Sequence, residues 1–91
     1  ESCAWIFSCD ESAASALAWA QKYGIRVPQD IAIMGMNNDP AYFGLGITSF
    51  EEDWDTMGYL AAHAFIGDIL IAKTSKGFIR PHVQVLERLT T

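Results

Sequence analysis

A chain of 91 residues with a formal net charge of -5 is long enough for one small domain, and 51% of its residues are apolar. Its six basic residues form no cluster, which argues against nucleic-acid binding by this segment, because phosphate contacts need several cations on one face. No apolar run reaches membrane-spanning length, and no signal peptide is visible.

The first part of the chain has the pattern of a strand, a helix and a second strand. Unbroken apolar runs cover Ala4–Phe7 and Ile31–Met34, and neither alternates with polar residues. Such runs are typical of parallel strands covered on both faces, and the alanine-rich segment between them is long enough for a crossover helix. The sequence therefore predicts an α/β fold with a right-handed β-α-β unit in a parallel sheet flanked by helices. So much apolar surface in a short chain also predicts a segment of a larger protein.

Local signals place both ends of this first helix. Ser8 with Glu11 matches a capping box, and Asp10 is an alternative cap further along. Gly24 is expected to end the helix, because glycine adopts the left-handed conformation there without a steric penalty.

The two cysteines, Cys3 and Cys9, lie along the first predicted strand and its end. Extended chain would separate them by roughly 20 Å, which is too far for a disulfide. Free thiols are typical of a reducing compartment, so we expect a cytoplasmic protein.

Small polar residues follow both predicted strands, with Ser8-Cys9-Asp10 after the first and Asn37-Asn38-Asp39 after the second. In open parallel sheets, ligands bind outside the carboxyl ends of the strands. The pattern therefore indicates a binding site, although the same residue types are also ordinary capping and turn formers. Cys9 is the only candidate nucleophile, and no histidine near it in the sequence could activate it.

The second half of the chain is predicted to contain a loop, a short extended segment, a long helix and a last strand. These elements are expected at Ala41–Gly46, Ile47–Phe50, Asp53–Ala72 and Val83–Leu86, respectively. Ser49 with Glu52 matches a second capping box. Gly58 lowers helix propensity, which suggests the close approach of another element.

No motif in this half indicates catalysis or a cofactor. Gly44-Leu45-Gly46 lacks the third glycine and the following helix of a dinucleotide fingerprint. His63 and His82 have no cysteine or carboxylate at metal-ligand spacing. We therefore expect no cofactor and no metal site.

In order and spacing, these motifs resemble the C-terminal part of the effector-binding core of LacI/GalR-type transcriptional regulators, which share the fold of type I periplasmic sugar-binding proteins. The matching segments are Ile6–Ala18 (strand and alanine-rich helix), Gly24–Ile31 (Gly-x-x-Val-Pro-x-Asp-Ile), Gly35–Asn38 (Gly-aromatic-Asp-Asp/Asn), Ile47–Phe50 (Leu-Thr-Thr-aliphatic), Gly58, and Arg88–Thr91 (Arg-x-Ser/Thr-Thr). The arginine-containing ending favours regulators over secreted binding proteins.

The resemblance implies a two-lobed protein whose chain crosses between the lobes. Residues 1–46 would form the β-α-β portion of the C-terminal lobe, residues 47–79 a hinge crossing and a helix of the N-terminal lobe, and residues 80–91 a return strand. Hinge crossings would lie at Thr48-Ser49 and near Arg80-Pro81. DNA would be bound only through a helix-turn-helix headpiece outside this sequence, and no membrane partner is expected. Homodimer contacts are implied at Ala14, Leu17, Tyr42 and Phe43.

The resemblance also implies ligand contacts at Cys9, Asp10, Asn37 and Trp54. Sugar-responsive members have an asparagine where this chain has Cys9 and an aspartate where it has Asn37. An amide offers one acceptor and one donor group where a carboxylate accepts twice, so the change at Asn37 leaves room for a different or less hydroxyl-rich effector. The indole of Trp54 would suit stacking on a sugar ring.

The expected function is therefore ligand sensing, without enzymatic activity, for a sugar or a sugar derivative. Closure of the lobes on this effector would change the relative placement of two subunits. Two alternatives stay open. One is the periplasmic sugar-binding protein of an ABC transporter, for which a signal peptide on the full-length chain would decide. The other is a small α/β enzyme that uses Cys9.

Overall fold

The computed structural model describes residues 3–80 and 82–91. Its elements, in chain order, are β1 (Ala4–Ile6), α1 (Asp10–Lys22), β2 (Ala32–Met36), a 3-10 helix (Pro40–Leu45), β3 (Thr48–Glu52), α2 (Trp54–Ile66) and β4 (Val83–Leu86). The strands form one sheet in the order β1-β2-β3-β4, and the pairs β1/β2 and β2/β3 are parallel. The predicted α/β class and the β-α-β unit are confirmed, and β4 has the predicted bounds.

The register of the strands brings the carboxyl ends of β1 and β2 beside the first residues of β3. Met34 of β2 lies opposite Ile6 of β1 and Thr48 of β3. Gly35 and Met36 then continue beside the next two residues of β3. The residues that follow β1 and β2 therefore emerge side by side, which is the arrangement that a ligand site at this edge requires.

The chain divides into two compact units. The first unit comprises the residues up to Glu51 together with Gln84–Thr91, and the second comprises Glu52–Val83. The lobe boundaries implied by the resemblance, 1–46, 47–79 and 80–91, stay a prediction. Glu1 and Pro81, on which parts of that prediction fall, lie outside the described residues.

The core of the first unit lies between α1 and the sheet. Its buried apolar residues are Ala13, Leu17, Ile33 and Ile47. Partly buried side chains surround them, namely Phe7, Ala14, Ala16, Val27, Ile31 and Tyr42. Only the α1 side of β1 is covered, and Ile6 is 65% exposed, so the expected burial of this strand on both faces is not met in this chain.

The start of α1 differs from the predicted capping box. Cys9 is the N-cap residue, it makes no side-chain capping bond, and the helix begins at Asp10. The box of Ser8 and Glu11 is therefore wrong, as is Asp10 as the cap. The reason is that the Asp10 carboxylate accepts hydrogen bonds from residues far away in the sequence instead.

The end of α1 follows the prediction. Gly24 has a φ of +70°, in the left-handed region where glycine is favoured. The next amide, that of Ile25, donates a 2.9 Å hydrogen bond back to the carbonyl of Ala20. This bond satisfies a carbonyl that the helix end would otherwise leave unpaired.

The segment between β2 and β3 is more ordered than a loop. Pro40–Leu45 forms a 3-10 helix, and the Asp39 side chain caps it by accepting from the amide of Ala41 at 3.0 Å. Ser49 lies within β3 and is fully buried, so the second predicted capping box, with Glu52, is wrong.

Hydrogen bonds from Thr90, after β4, bridge β2 and β3. The Thr90 hydroxyl donates to the carbonyl of Ile33 at 2.6 Å and accepts from the amide of Thr48 at 2.9 Å. The carbonyl of Thr90 in turn accepts from the amide of Ile33 at 2.8 Å. The segment after β4 therefore belongs to the framework of the first unit.

The second unit is built on α2, which is shorter than predicted. Asp53 caps its start by accepting from the Thr56 amide at 3.0 Å, and Gly67, with a φ of +74°, ends it. A Cβ built on Gly58 would have no heavy atom of another element within 4 Å among the described residues, so the close packing predicted there is not found. None of the helices in residues 3–80 and 82–91 is long and apolar enough to span a membrane.

Candidate functional site

Three segments of the first unit meet at the carboxyl edge of the sheet. The Asp39 amide, after β2, donates a 2.7 Å hydrogen bond to Asp10 Oδ2, after β1. The hydroxyl of Ser49, on β3, donates to Asp10 Oδ1 at 2.8 Å. Asp10 therefore joins the segments that follow β1 and β2 to the start of β3. Two of the predicted ligand residues, Cys9 and Asn37, lie next to these segments in the chain.

Asp10 itself is buried, with 3% of its surface exposed. Both carboxylate oxygens accept bonds from within the unit, which suits a residue that orders the edge. Gly35 makes this position possible, because a Cβ built on it would lie 3.1 Å from the Asp10 Cα and would collide with the carboxylate. The glycine of the predicted Gly-aromatic-Asp motif thus allows the start of α1 to approach β2.

The turn after β2 presents Asn37. Asn37 and Asn38 have φ values of +85° and +48°, a left-handed pair that asparagine tolerates better than most residues. The Asn37 amide donates to the carbonyl of Phe50 at 2.7 Å, and the Asn38 amide donates to Ser49 Oγ at 2.9 Å. The Asn37 side chain is exposed and has no hydrogen-bond partner within the described part of the chain.

Cys9 is a half-buried free thiol at the N-terminus of α1. Its Sγ lies 3.3 Å from Ser12 Oγ, and this hydroxyl, helped by backbone amides, lowers the pKa of the thiol below its ordinary value. Both histidines of the chain belong to the second unit, so the first unit supplies no imidazole base for Cys9. The described residues contain no cluster of side chains that could hold a metal ion.

Trp54, the fourth predicted ligand residue, lies in the second unit. It is the first residue of α2 and is 57% exposed. The second unit also contains an apolar cavity of about 270 Å³ between α2 and the segment that includes Ile79 and His82. None of the four predicted ligand residues lines this cavity. The role of Trp54 in binding stays a prediction.

Arg88 lies at this edge, and the sequence analysis did not assign it to the site. Its Nη1 donates to the carbonyl of Ile47 at 2.8 Å, and its Nη2 donates to Asn38 Oδ1 at 2.6 Å. Its backbone amide donates to Thr48 Oγ1 at 2.8 Å, and its guanidinium lies 5.2 Å from the ring centroid of Phe43. The only signal in the sequence was the position of this cation in the Arg-Leu-Thr-Thr ending.

The predicted dimer residues occupy different environments. Leu17 is 8% exposed and contributes to the core, whereas Phe43 is 48% exposed on the 3-10 helix. Ala14 and Tyr42 are half-buried. Burial raises the pKa of the Tyr42 hydroxyl, with smaller contributions from nearby acidic groups. Their assignment to a subunit contact stays a prediction.

A family model described as a periplasmic binding protein-like domain matches residues 3–91. The chain is 31% identical over 81 residues to the HTH-type transcriptional repressor PurR of Escherichia fergusonii, and 30% identical over 81 residues to that of Klebsiella pneumoniae. Each alignment covers 87% of this chain and 24% of the relative. The chain therefore spans about a quarter of the length of these relatives.

Solved structures show the same fold. A LacI family transcriptional regulator from Lactobacillus casei, solved with bound sucrose, superposes with a TM-score of 0.71 at 24% identity, over 97% of this chain and 33% of that regulator. A LacI-family transcriptional regulatory protein from Corynebacterium glutamicum superposes with a TM-score of 0.65 at 26% identity, over 96% of this chain and 34% of that protein.

Proposed function

Because the chain belongs to the periplasmic binding protein-like domain family, as part of an effector-binding core of the LacI/GalR type, we propose that it senses a small polar effector for a transcriptional regulator. The effector, a sugar or a sugar derivative, binds at the carboxyl edge of β1 and β2, against Cys9 and Asn37. Asp10 orders this edge. DNA contacts come from a helix-turn-helix headpiece outside this sequence, and the regulator is a cytoplasmic homodimer without enzymatic activity.

The observation that carries this proposal is the contrast between Asn37 and its neighbours. The polar groups around it, those of Asp10, Ser49 and Asn38, all have partners within the first unit. The side-chain amide of Asn37 alone is exposed and unpartnered in the described turn. An amide that is held by a fixed backbone and is left free to donate and accept suits the hydroxyl groups of a polar ligand.

The charges of the first unit favour a neutral effector. Its basic residues are Lys22, Arg26 and Arg88. Lys22 is the last residue of α1 and Arg26 lies between α1 and β2, so both are away from the carboxyl edge, and Arg26 pairs with Asp30. Arg88 already donates to two oxygens of the unit. A phosphorylated effector would find no unengaged cation of this unit at the edge, which supports an uncharged polar compound.

Two further parts of the proposal rest on the family resemblance. Trp54 is proposed as a ligand contact, because an indole face suits stacking on a sugar ring. Effector binding is proposed to select one arrangement of the lobes over another, and this shift in population carries the signal to the DNA-binding part. The Lactobacillus casei regulators solved with glucose and with sucrose make these two sugars the first compounds to test.

The test is calorimetry on the complete effector-binding domain with a panel of monosaccharides and disaccharides. Asn37→Gly removes the side-chain amide, and glycine accepts the φ of +85° without strain. The variant therefore measures the contribution of the side chain alone. We expect it to weaken binding of the best sugar by about tenfold to a hundredfold, the loss expected for one or two hydrogen bonds to a ligand. Trp54→Ala should weaken binding similarly through lost stacking area.

Matched variants complete this experiment. Gln21→Ala removes an exposed amide on α1, outside the site, and should bind like the parent. Asn37→Asp restores the carboxylate of sugar-responsive relatives and should shift preference toward ligands with vicinal hydroxyls. If Asn37→Gly, Asn37→Asp and Trp54→Ala all bind the best ligand like the parent, the site lies elsewhere.

The proposed homodimer is tested at an exposed position. Leu17 is unsuitable because its substitution would disturb the core. Phe43→Ser should instead give monomers in sedimentation experiments if the 3-10 helix forms the subunit contact. The control is Tyr23→Ser, which removes an aromatic ring that is 60% exposed at the C-terminal end of α1. An unchanged dimer in the Phe43 variant would place the interface elsewhere.

A further inference from the structure

The Asn37-Asn38 turn needs an external support to keep its shape. Both residues lie in the left-handed region, which non-glycine residues enter only when their surroundings favour it. Their backbone amides are held by Phe50 and Ser49 on β3. These bonds fix where the turn lies, but they do not fix the orientation of the Asn38 side chain.

Opposite charges orient that side chain. Asn38 Oδ1 accepts from Arg88 Nη2 at 2.6 Å, and Asn38 Nδ2 donates to Glu51 Oε1 at 3.3 Å. Glu51 Oε2 accepts in turn from Gln84 Nε2 at 2.8 Å. The cation meets the acceptor of the amide and the carboxylate meets its donor. An amide fits between such partners in one orientation only.

Arg88 is itself held in place by three contacts. One guanidinium nitrogen is bound to Asn38 and another to the carbonyl of Ile47, immediately before β3. The guanidinium carbon lies over the ring of Phe43 on the 3-10 helix, 5.2 Å from its centroid. Lysine could not reproduce this arrangement, because its ammonium is a single point donor without a planar fork.

We infer that Arg88 is a positioning residue for the effector site: through Asn38 it holds the left-handed turn that presents Asn37, and it ties this turn to Phe43. The inference rests on the proposed function, since it assumes that Asn37 contacts the effector. Arg88 acts on the effector indirectly, through Asn38. The same guanidinium contacts both the Asn37-Asn38 turn and Phe43 of the exposed 3-10 helix. A shift in the position of either segment should therefore shift the other.

The test follows amide hydrogen exchange, without ligand, in the complete effector-binding domain. In Arg88→Ala, the amides of Asn37 and Asn38 should exchange at least tenfold faster than in the parent. The amide of Ile25, which is bonded at the far end of α1, should stay within twofold and so report on global stability. Arg88→Lys should give an intermediate rate, and it also serves if the alanine variant fails to fold.

Two comparisons separate positioning from a general loss of structure. Arg26→Ala removes another bonded guanidinium, remote from the turn, and should leave the exchange of Asn37 unchanged. In the Asn38→Gly background the link is already cut, so Arg88→Ala should add nothing further at the Asn37 amide. Unchanged exchange in Arg88→Ala, or an equal increase with and without Asn38, would overturn the inference.

Ligand binding provides the second readout. Where the parent binds a sugar, Arg88→Ala should weaken it about tenfold, and its effect should shrink in the Asn37→Gly background. Equal effects in both backgrounds would also overturn the inference. A parent that binds no member of the sugar panel refutes the proposed sugar effector, whereas the exchange experiment still decides whether Arg88 positions the turn.

Discussion

Asp10→Ala is the substitution that tests the architecture of the edge most directly. It removes one carboxylate and leaves two donors without an acceptor, the Ser49 hydroxyl and the Asp39 amide. Ser49 is fully buried, so water cannot replace the lost partner, whereas Asp39 is exposed and its amide can be hydrated at lower cost. The damage should therefore come mainly from the Ser49 side.

The expected magnitude follows from these two bonds. Hydrogen bonds to a charged group contribute about 1.5 to 3 kcal/mol each, so Asp10→Ala should lower the free energy of unfolding by about 3 to 5 kcal/mol. Asp10→Asn should cost less, about 1 to 3 kcal/mol, because its amide can accept from Asp39 and donate to Ser49 Oγ but leaves the buried Ser49 hydroxyl hydrogen without an acceptor.

Urea unfolding of the complete effector-binding domain measures these differences. Asp55 is the matched control, since it lies in the first turn of α2 and is exposed. Asp55→Ala should change the free energy of unfolding by about 0.5 kcal/mol or less. A double-mutant cycle with Ser49→Ala should show strong coupling to Asp10. An Asp10→Ala variant as stable as the Asp55 control, or additive effects in the cycle, would refute this account.

Three further predictions concern single positions. Gly35→Ala should push the start of α1 away from β2 and destabilise the domain by about 1 to 3 kcal/mol, measured by thermal denaturation. Asp30 should titrate by NMR with a pKa of about 2, because the Arg26 side chain and amide stabilise its carboxylate, and Arg26→Gln should raise this pKa toward 3.8. Alkylation of Cys9 should show a lowered pKa, and Ser12→Ala should shift its midpoint upward.

A control variant or a pH dependence checks each of these three predictions. Gly44 has open space around it, so Gly44→Ala should be tolerated where Gly35→Ala is not. Because the Asp30 pKa is lowered in the folded state, its contribution to stability is present above pH 3.8 and is lost as the pH falls toward 2. An Asp30 titration near 3.8, or a Cys9 midpoint that Ser12→Ala does not move, would contradict the geometry described.

Local signals predicted the elements better than the contacts between them. The Gly24 helix stop, the Val83–Leu86 strand and the β-α-β unit are confirmed, because apolar runs and left-handed glycines act on their immediate neighbours. The LacI/GalR resemblance is confirmed by the family match over residues 3–91. The α2 end was placed too late because apolar residues continue beyond Gly67, so the hydrophobic pattern outlasted the helix.

The site was less predictable because its contacts join distant residues. Ser49 matched a capping box locally, yet its hydroxyl binds Asp10, 39 residues earlier. Arg88 binds Asn38 across 50 residues, and no spacing rule links such a pair. Polar residues after β1 and β2 could be recognised as a group from strand order. Which of them serve the framework and which face outward depended on β3 and on the last residues of the chain.

The hydrogen bonds of Thr90 form late in synthesis on the ribosome. Its bonds to Thr48 and Ile33 span 42 and 57 residues, and the whole second unit is translated in between. At about 5 to 20 residues per second, Thr90 is synthesised roughly 2 to 10 s after Thr48 and Ile33. During this interval the Ile33 carbonyl and the Thr48 amide lack the partner that Thr90 gives them in the finished unit.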